Sequence, residues 1–158
     1  MPDQVPMTKA GHAMLEKELE RMLGTERRQI IKEIEEARAH GDLSENAEYH
    51  AAKEKQGLVE AKIRDLQHKL AHAQVVDPSQ VSADRVAFGA TIRLLNMETE
   101  EEFVYQIVGE DEADHKIGKI SFRSPIGRAM IGKEEADEIR VRTPGGIKLF
   151  EILEIRYE

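Results

Sequence analysis

Two periodicities divide this chain. From Leu15 onward, apolar side chains recur at Leu19, Leu23, Ile30, Ile34 and Ala37, the three-and-four spacing of an amphipathic helix, with Glu26 in the gap. Thr8, just after Pro6, is placed to cap this helix, and Gly41 suits the left-handed residue that often ends one. Gly24 lies inside the run and costs about 1 kcal/mol relative to alanine, which predicts local bending or fraying. A second helix is more regular. Ala52, Gln56, Val59, Ile63, Leu66, Leu70 and Ala73 form a heptad seam that extends back to Tyr49 and Glu45. Ser44 or Asp42 is its expected cap. Each helix covers about 30 residues, or about 45 Å. A short connection makes the two antiparallel neighbours, so residues 1–76 read as an antiparallel coiled-coil hairpin with its tip at 41–49.

Asp77-Pro78-Ser79-Gln80 ends that pattern, and 77–84 reads as a linker. The period then shortens to two. Thr91 to Leu94 and Phe103 to Ile107 alternate as half-buried strands do. Ser124-Pro125 opens a short helix that closes near Gly132. Ile139 to Val141 and Leu149 to Tyr157 read as strands joined by a turn at Thr143-Pro144-Gly145-Gly146. The fold class is therefore α+β, a helical hairpin followed over 85–158 by a small, mainly antiparallel sheet.

Composition sharpens this picture. Charged residues make up 34% of the chain and aromatics 4%, a bias towards long solvated helices. The net charge of -8 argues against a nonspecific grip on nucleic acid, which needs clustered cations facing phosphates. That charge is uneven: residues 1–76 carry 14 acidic and 12 basic side chains, the remainder 17 and 11. A role near nucleic acid is thus expected to run through a protein partner. The absence of cysteine removes disulfides and thiolate metal sites, which fits a reducing compartment. With no long apolar run and no signal-like start, a soluble cytoplasmic protein without a membrane span is the expectation.

Chemistry concentrates at the hairpin tip, in Gly41-Asp42-Leu43-Ser44-Glu45-Asn46-Ala47-Glu48-Tyr49. Asp42 and Glu45 are three apart, which across a helix start brings two carboxylates close together. Their hard oxygens suit Mg²⁺, an ion that often takes only one or two protein carboxylates beside phosphate oxygens. Two carboxylates alone make a poor metal site but a good supplement to an existing one. The same spacing also fits helix capping and complementation of the helix dipole.

The run from Gly41 to Glu54 resembles the coiled-coil tip of bacterial Gre transcript-cleavage factors, of the GreA type. A second match lies at Ser124-Pro125-Ile126-Gly127-Arg128-Ala129-Met130-Ile131-Gly132-Lys133, followed by Thr143 to Gly146. The likeness extends from about Pro6 to Tyr157. It implies an FKBP-like second domain that grips the rim of the secondary channel of bacterial RNA polymerase, with Ser124 and Pro125 as contacts. It implies also that the hairpin enters that channel, where Asp42 and Glu45 help hold a Mg²⁺ shared with the polymerase active site. The polymerase then cleaves backtracked RNA and releases short 3′ fragments. The resemblance further implies a factor with no cofactor of its own that is not itself an enzyme. Asn46 shapes the turn or meets active-site loops, Tyr49 packs the tip or touches the nascent RNA 3′ segment, and Ser44 stands where other members carry lysine.

Other readings compete. An isomerase with a coiled-coil arm needs an aromatic-lined pocket, and the second half offers only Phe88, Phe103, Tyr105, Phe122, Phe150 and Tyr157. A channel-binding inhibitor would be expected to alter the acid pair, whereas a plain adaptor would not need it. His68 and His72 have chelating spacing without a third ligand.

Overall fold

Thr8 caps the first helix, α1 (Lys9–Arg21): its hydroxyl oxygen accepts a hydrogen bond from the Gly11 N–H at 3.1 Å. The computed structural model describes residues 4–41 and 46–158, which group into two units, 13–72 and 4–12 with 73–158.

In the first unit, α1 runs into a π-helical turn at Met22–Glu26 and then into α2 (Arg27–Arg38), while α3 spans Ala47–Ala71. The expected seam is present with two changes. Leu15, Met22, Ile30, Ile34 and Ala37 are buried, Met22 takes the place of the exposed Leu23, and Leu19 is only half-buried. Met22 to Ile30 is one residue longer than a heptad. A π turn absorbs one extra residue, so the seam stays on one face. Gly24 lies within that turn, where the sequence predicts a bend.

Ala52, Val59, Ile63 and Leu66 are the buried positions of α3. That helix stops at Ala71, so Ala73 drops out of the expected seam. Cross-hairpin side-chain contacts fix α2 and α3 as antiparallel: the ion pairs Arg27 with Glu60 at 2.8 Å and Glu33 with Lys55 at 3.3 Å, and the approach of the His40 ring to Glu48 at 3.6 Å. As one number rises the other falls. Hydrogen bonding from Arg27 holds the Glu60 carboxyl below its usual range. Such exposed pairs set register, while stability comes from the apolar seam, at about 1.5–3 kcal/mol per fully buried aliphatic side chain.

The second unit centres on a five-stranded sheet. Its strands are β3 (Thr91–Asn96), β4 (Glu102–Val108), β5 (Lys119–Ser121), β6 (Glu138–Thr143) and β7 (Gly146–Arg156), in the spatial order β5-β4-β3-β7-β6. Within this sheet, among the described residues, β4–β5 is the one parallel pairing. Alternation puts Ile92, Leu94, Ile107 and Ile152 fully inside, with Met130 from the short helix α4 (Pro125–Met130) among them. The β6–β7 turn falls at 143–146 as expected, with Gly146 at φ +114°.

Two short strands were not expected. β1 (Val5–Thr8) and β2 (Ala73–Val76) pair in parallel, Val5 opposite Ala73 and Thr8 opposite Val76. This ribbon groups with the sheet and not with the hairpin, so the units meet after residues 12 and 72, where the sequence suggests 76. Within the expected linker, Pro78–Gln80 forms a 3₁₀ turn capped by Asp77, and Pro78 is buried. Among the described residues, no helix is long and apolar enough to cross a membrane.

Candidate functional site

Asn46 joins the end of α2 to the start of α3. Asn46 caps α3: its Oδ1 accepts from the Tyr49 N–H at 3.1 Å, and its Nδ2 donates to the Ala37 carbonyl oxygen at 2.6 Å. The first bond satisfies an orphan donor at the start of α3, and the second a carbonyl in the last turn of α2. An amide carries its donor and acceptor on separate atoms, so it can span both helix ends. This corrects the expected caps, Ser44 and Asp42. Those two residues and Glu45 lie outside the described residues.

α2 ends with the His40 N–H donating to the Ala37 carbonyl at 3.1 Å, and Gly41 follows at φ +106°. Tyr49 is half-buried, with its ring edge-on to His50 at a centroid distance of 5.7 Å. A groove of about 350 Å³ is lined by Glu33, Glu36, His40, Glu48 and Lys55 with the small residues Ala37, Ala51 and Ala52. Asn46→Ala is expected to lower hairpin stability by about 1–2 kcal/mol, because it removes a cap and one of the two hydrogen bonds to the Ala37 carbonyl. Asn46→Asp keeps the cap acceptor and loses the donor, so it should fall between. Thermal unfolding with amide exchange in the first turn of α3 checks the order.

In the second unit, the two matched residues divide in role. The Ser124 hydroxyl accepts from the Gly127 N–H at 3.1 Å and donates to the Ser121 carbonyl at 2.7 Å, so it caps α4 and ties it to the end of β5. Pro125 instead lines a groove of about 440 Å³ with Phe103, Tyr105, Phe150, Ile126 and Val141, rimmed by Arg142, Lys148 and His115. Phe103 and Tyr105 lie nearly parallel at 5.8 Å, and Phe150 stands edge-on to Phe103 at 6.3 Å. Burial pushes the Tyr105 phenol up, which keeps it a neutral hydrogen-bond donor.

The sequence suggested too few aromatics for a lined pocket. The fold gathers three of them in one place. Phe103 and Tyr105, two apart on a strand, were the available signal that they share a face; nothing local marked Arg142 or Lys148.

The His68 and His72 rings lie 4.2 Å apart, tilted by 37°, and the His72 Nδ1 lies 2.8 Å from the His68 carbonyl oxygen. No group of three metal-ligating side chains occurs among the described residues.

Comparison with known proteins covers nearly the whole chain. The family model described as transcription elongation factor, N-terminal, matches residues 5–75, and that described as transcription elongation factor, GreA/GreB, C-term, matches 81–157. Transcription elongation factor GreA of Thermodesulfovibrio yellowstonii is 52% identical over 158 residues, all of both chains. The protein of the same name from Nitrosococcus oceani is 55% identical over 157 residues, 99% of each chain. Among solved structures, GreA factor homolog 1 of Thermus thermophilus is 28% identical, covers 98% of this chain and 99% of its own, and superposes with a TM-score of 0.45.

Proposed function

The chain belongs to the GreA/GreB family of transcription elongation factors, and from that premise we propose that it restarts backtracked bacterial RNA polymerase by stimulating cleavage of the nascent RNA. In this reading the hairpin enters the secondary channel and brings Asp42 and Glu45 to the polymerase active site. The observation that carries it is the closure of the hairpin by Asn46, which locks the two helix ends on either side of the acid-bearing segment.

The donor set suits the chemistry. Asp42 and Glu45 offer hard carboxylate oxygens, which would hold Mg²⁺ together with ligands of the polymerase. When bound, that ion supplies water activation and stabilisation of developing charge. The protein's own contribution is positioning. The α2–α3 seam stiffens the arm, Asn46 ties its end, and half-buried Tyr49 packs behind the tip.

The aromatic groove beside Pro125 is the surface we assign to the polymerase rim. Its Arg142 and Lys148 favour an acidic-apolar partner segment in a chain whose net charge is negative. Ser124 then acts at one remove, by holding Pro125 at the start of α4.

Backtracked elongation complexes with 3′-labelled RNA test the reading. Addition of the protein is expected to release short labelled fragments and restore extension. Binding without fragment release would instead make it an inhibitor of the channel.

A further inference from the structure

Glu112 is a carboxylate that the proposed mechanism leaves unused, and it is only 6% exposed. It lies in the run Gly109-Glu110-Asp111-Glu112, which looks like a solvated acidic loop. Its Oε2 accepts from the Thr8 N–H at 2.8 Å and from the Gly109 N–H at 3.3 Å, while its Oε1 accepts from the Thr8 hydroxyl. Thr8, 2% exposed, in turn accepts from Gly11 and caps α1. Two glycines make the fit possible. A Cβ on Gly11 would lie 2.0 Å from the Glu112 carboxyl carbon, and one on Gly109 would lie 2.4 Å from the Pro6 carbonyl oxygen. All of these residues fall in the sheet unit. Helix α1 begins among them and continues unbroken to Arg21 in the hairpin unit.

Burying a carboxylate is costly unless its oxygens are satisfied. A solvated ion pair or a plain apolar contact would tie down this strand at less expense in desolvation. What the buried carboxylate adds is direction: three donors converge on two oxygens, which fixes the Thr8 cap, and with it the first turn of α1, against the 109–112 turn.

We propose that Glu112 is a positioning residue for RNA cleavage, acting through Thr8 to fix the root of the arm that carries Asp42 and Glu45. This rests on the cleavage reading above. Small angular freedom at the root of a long arm becomes misplacement at its end, and misplacement of a catalytic group by about 1 Å can cost about 100-fold in rate.

The test separates binding from the saturated rate, with backtracked complexes and each variant titrated to saturation. Glu112→Ala is expected to bind polymerase as the wild type does and to cleave about 100-fold more slowly at saturation. Glu112→Gln should restore most of the rate. Its amide oxygen can accept from both backbone N–H groups, and its NH₂ can donate to the Thr8 hydroxyl. Thr8→Val keeps the shape and the backbone bond, and should cost about tenfold at saturation.

A saturated rate for Glu112→Ala equal to that of wild type overturns the proposal, as does a Gln variant that falls as far as the Ala variant. If Glu112→Ala fails to fold, Thr8→Val decides: an unchanged saturated rate overturns the proposal and a selective loss supports it. A wild-type protein that binds and cleaves nothing removes the functional reading, and this inference falls with it.

Discussion

Gly11→Ala is expected to lower the melting temperature of the unit that carries it by about 10 °C, and Gly57→Ala to raise that of the hairpin by about 3 °C. Both glycines lie in helices, so helix propensity alone predicts a gain of up to about 1 kcal/mol for each. At Gly57 nothing stands within 4 Å of the added Cβ, and the gain survives. At Gly11 the Cβ would lie 2.0 Å from the Glu112 carboxyl carbon. The end of a glutamate normally moves aside cheaply, but this one is buried and holds three hydrogen bonds. Expelling it breaks all three and strands the Thr8 and Gly109 donors, a loss of about 3 kcal/mol or more that outweighs the propensity gain. Differential scanning calorimetry on the two variants reads the opposite signs directly.

Asp42→Asn and Glu45→Gln are each expected to reduce saturated RNA cleavage by about 100-fold while leaving affinity for polymerase unchanged. Both substitutions preserve shape and remove charge. If the two carboxylates act only when charge develops at the reacting phosphate, their loss lowers the saturated rate and spares binding. If they only cap α3, the substitutions should be nearly silent, because Asn46 already fills that role. Cleavage and binding measured on the same complexes distinguish the two.

Regular periodicity made much of this fold legible. The α3 seam, the alternation in β3 and β4, the Ser124 cap of α4 and the 143–146 turn all follow from local patterns. Failures came where the deciding contact is distant in sequence. β1 and β2 have four residues each, too few to show a period, and Pro6 argues against a strand except at an edge, where it sits. The burial of Glu112 is set by Thr8, 104 residues away, and nothing in an acidic run announces it.

Met22 and Leu23 are adjacent and both apolar, so the choice between them rested on the extra residue that the π turn absorbs. At the tip, Asp42, Ser44 and Asn46 are all good caps in sequence terms. The bond from Asn46 to Ala37 selects Asn46, and that is a cross-hairpin contact. The groove at Pro125 draws on β4, α4, β6 and β7, and so exists only once the sheet order is known.

The Mg²⁺ dependence of cleavage tests the central claim most directly. Backtracked complexes would be titrated with Mg²⁺ alone, with the wild-type protein, and with Asp42→Asn or Glu45→Gln at saturation. If the arm supplies carboxylates to a shared ion, the wild type lowers the Mg²⁺ concentration at half-maximal cleavage, and each variant returns it towards the value for polymerase alone. Bound variants that keep the wild-type Mg²⁺ dependence and rate would contradict the account.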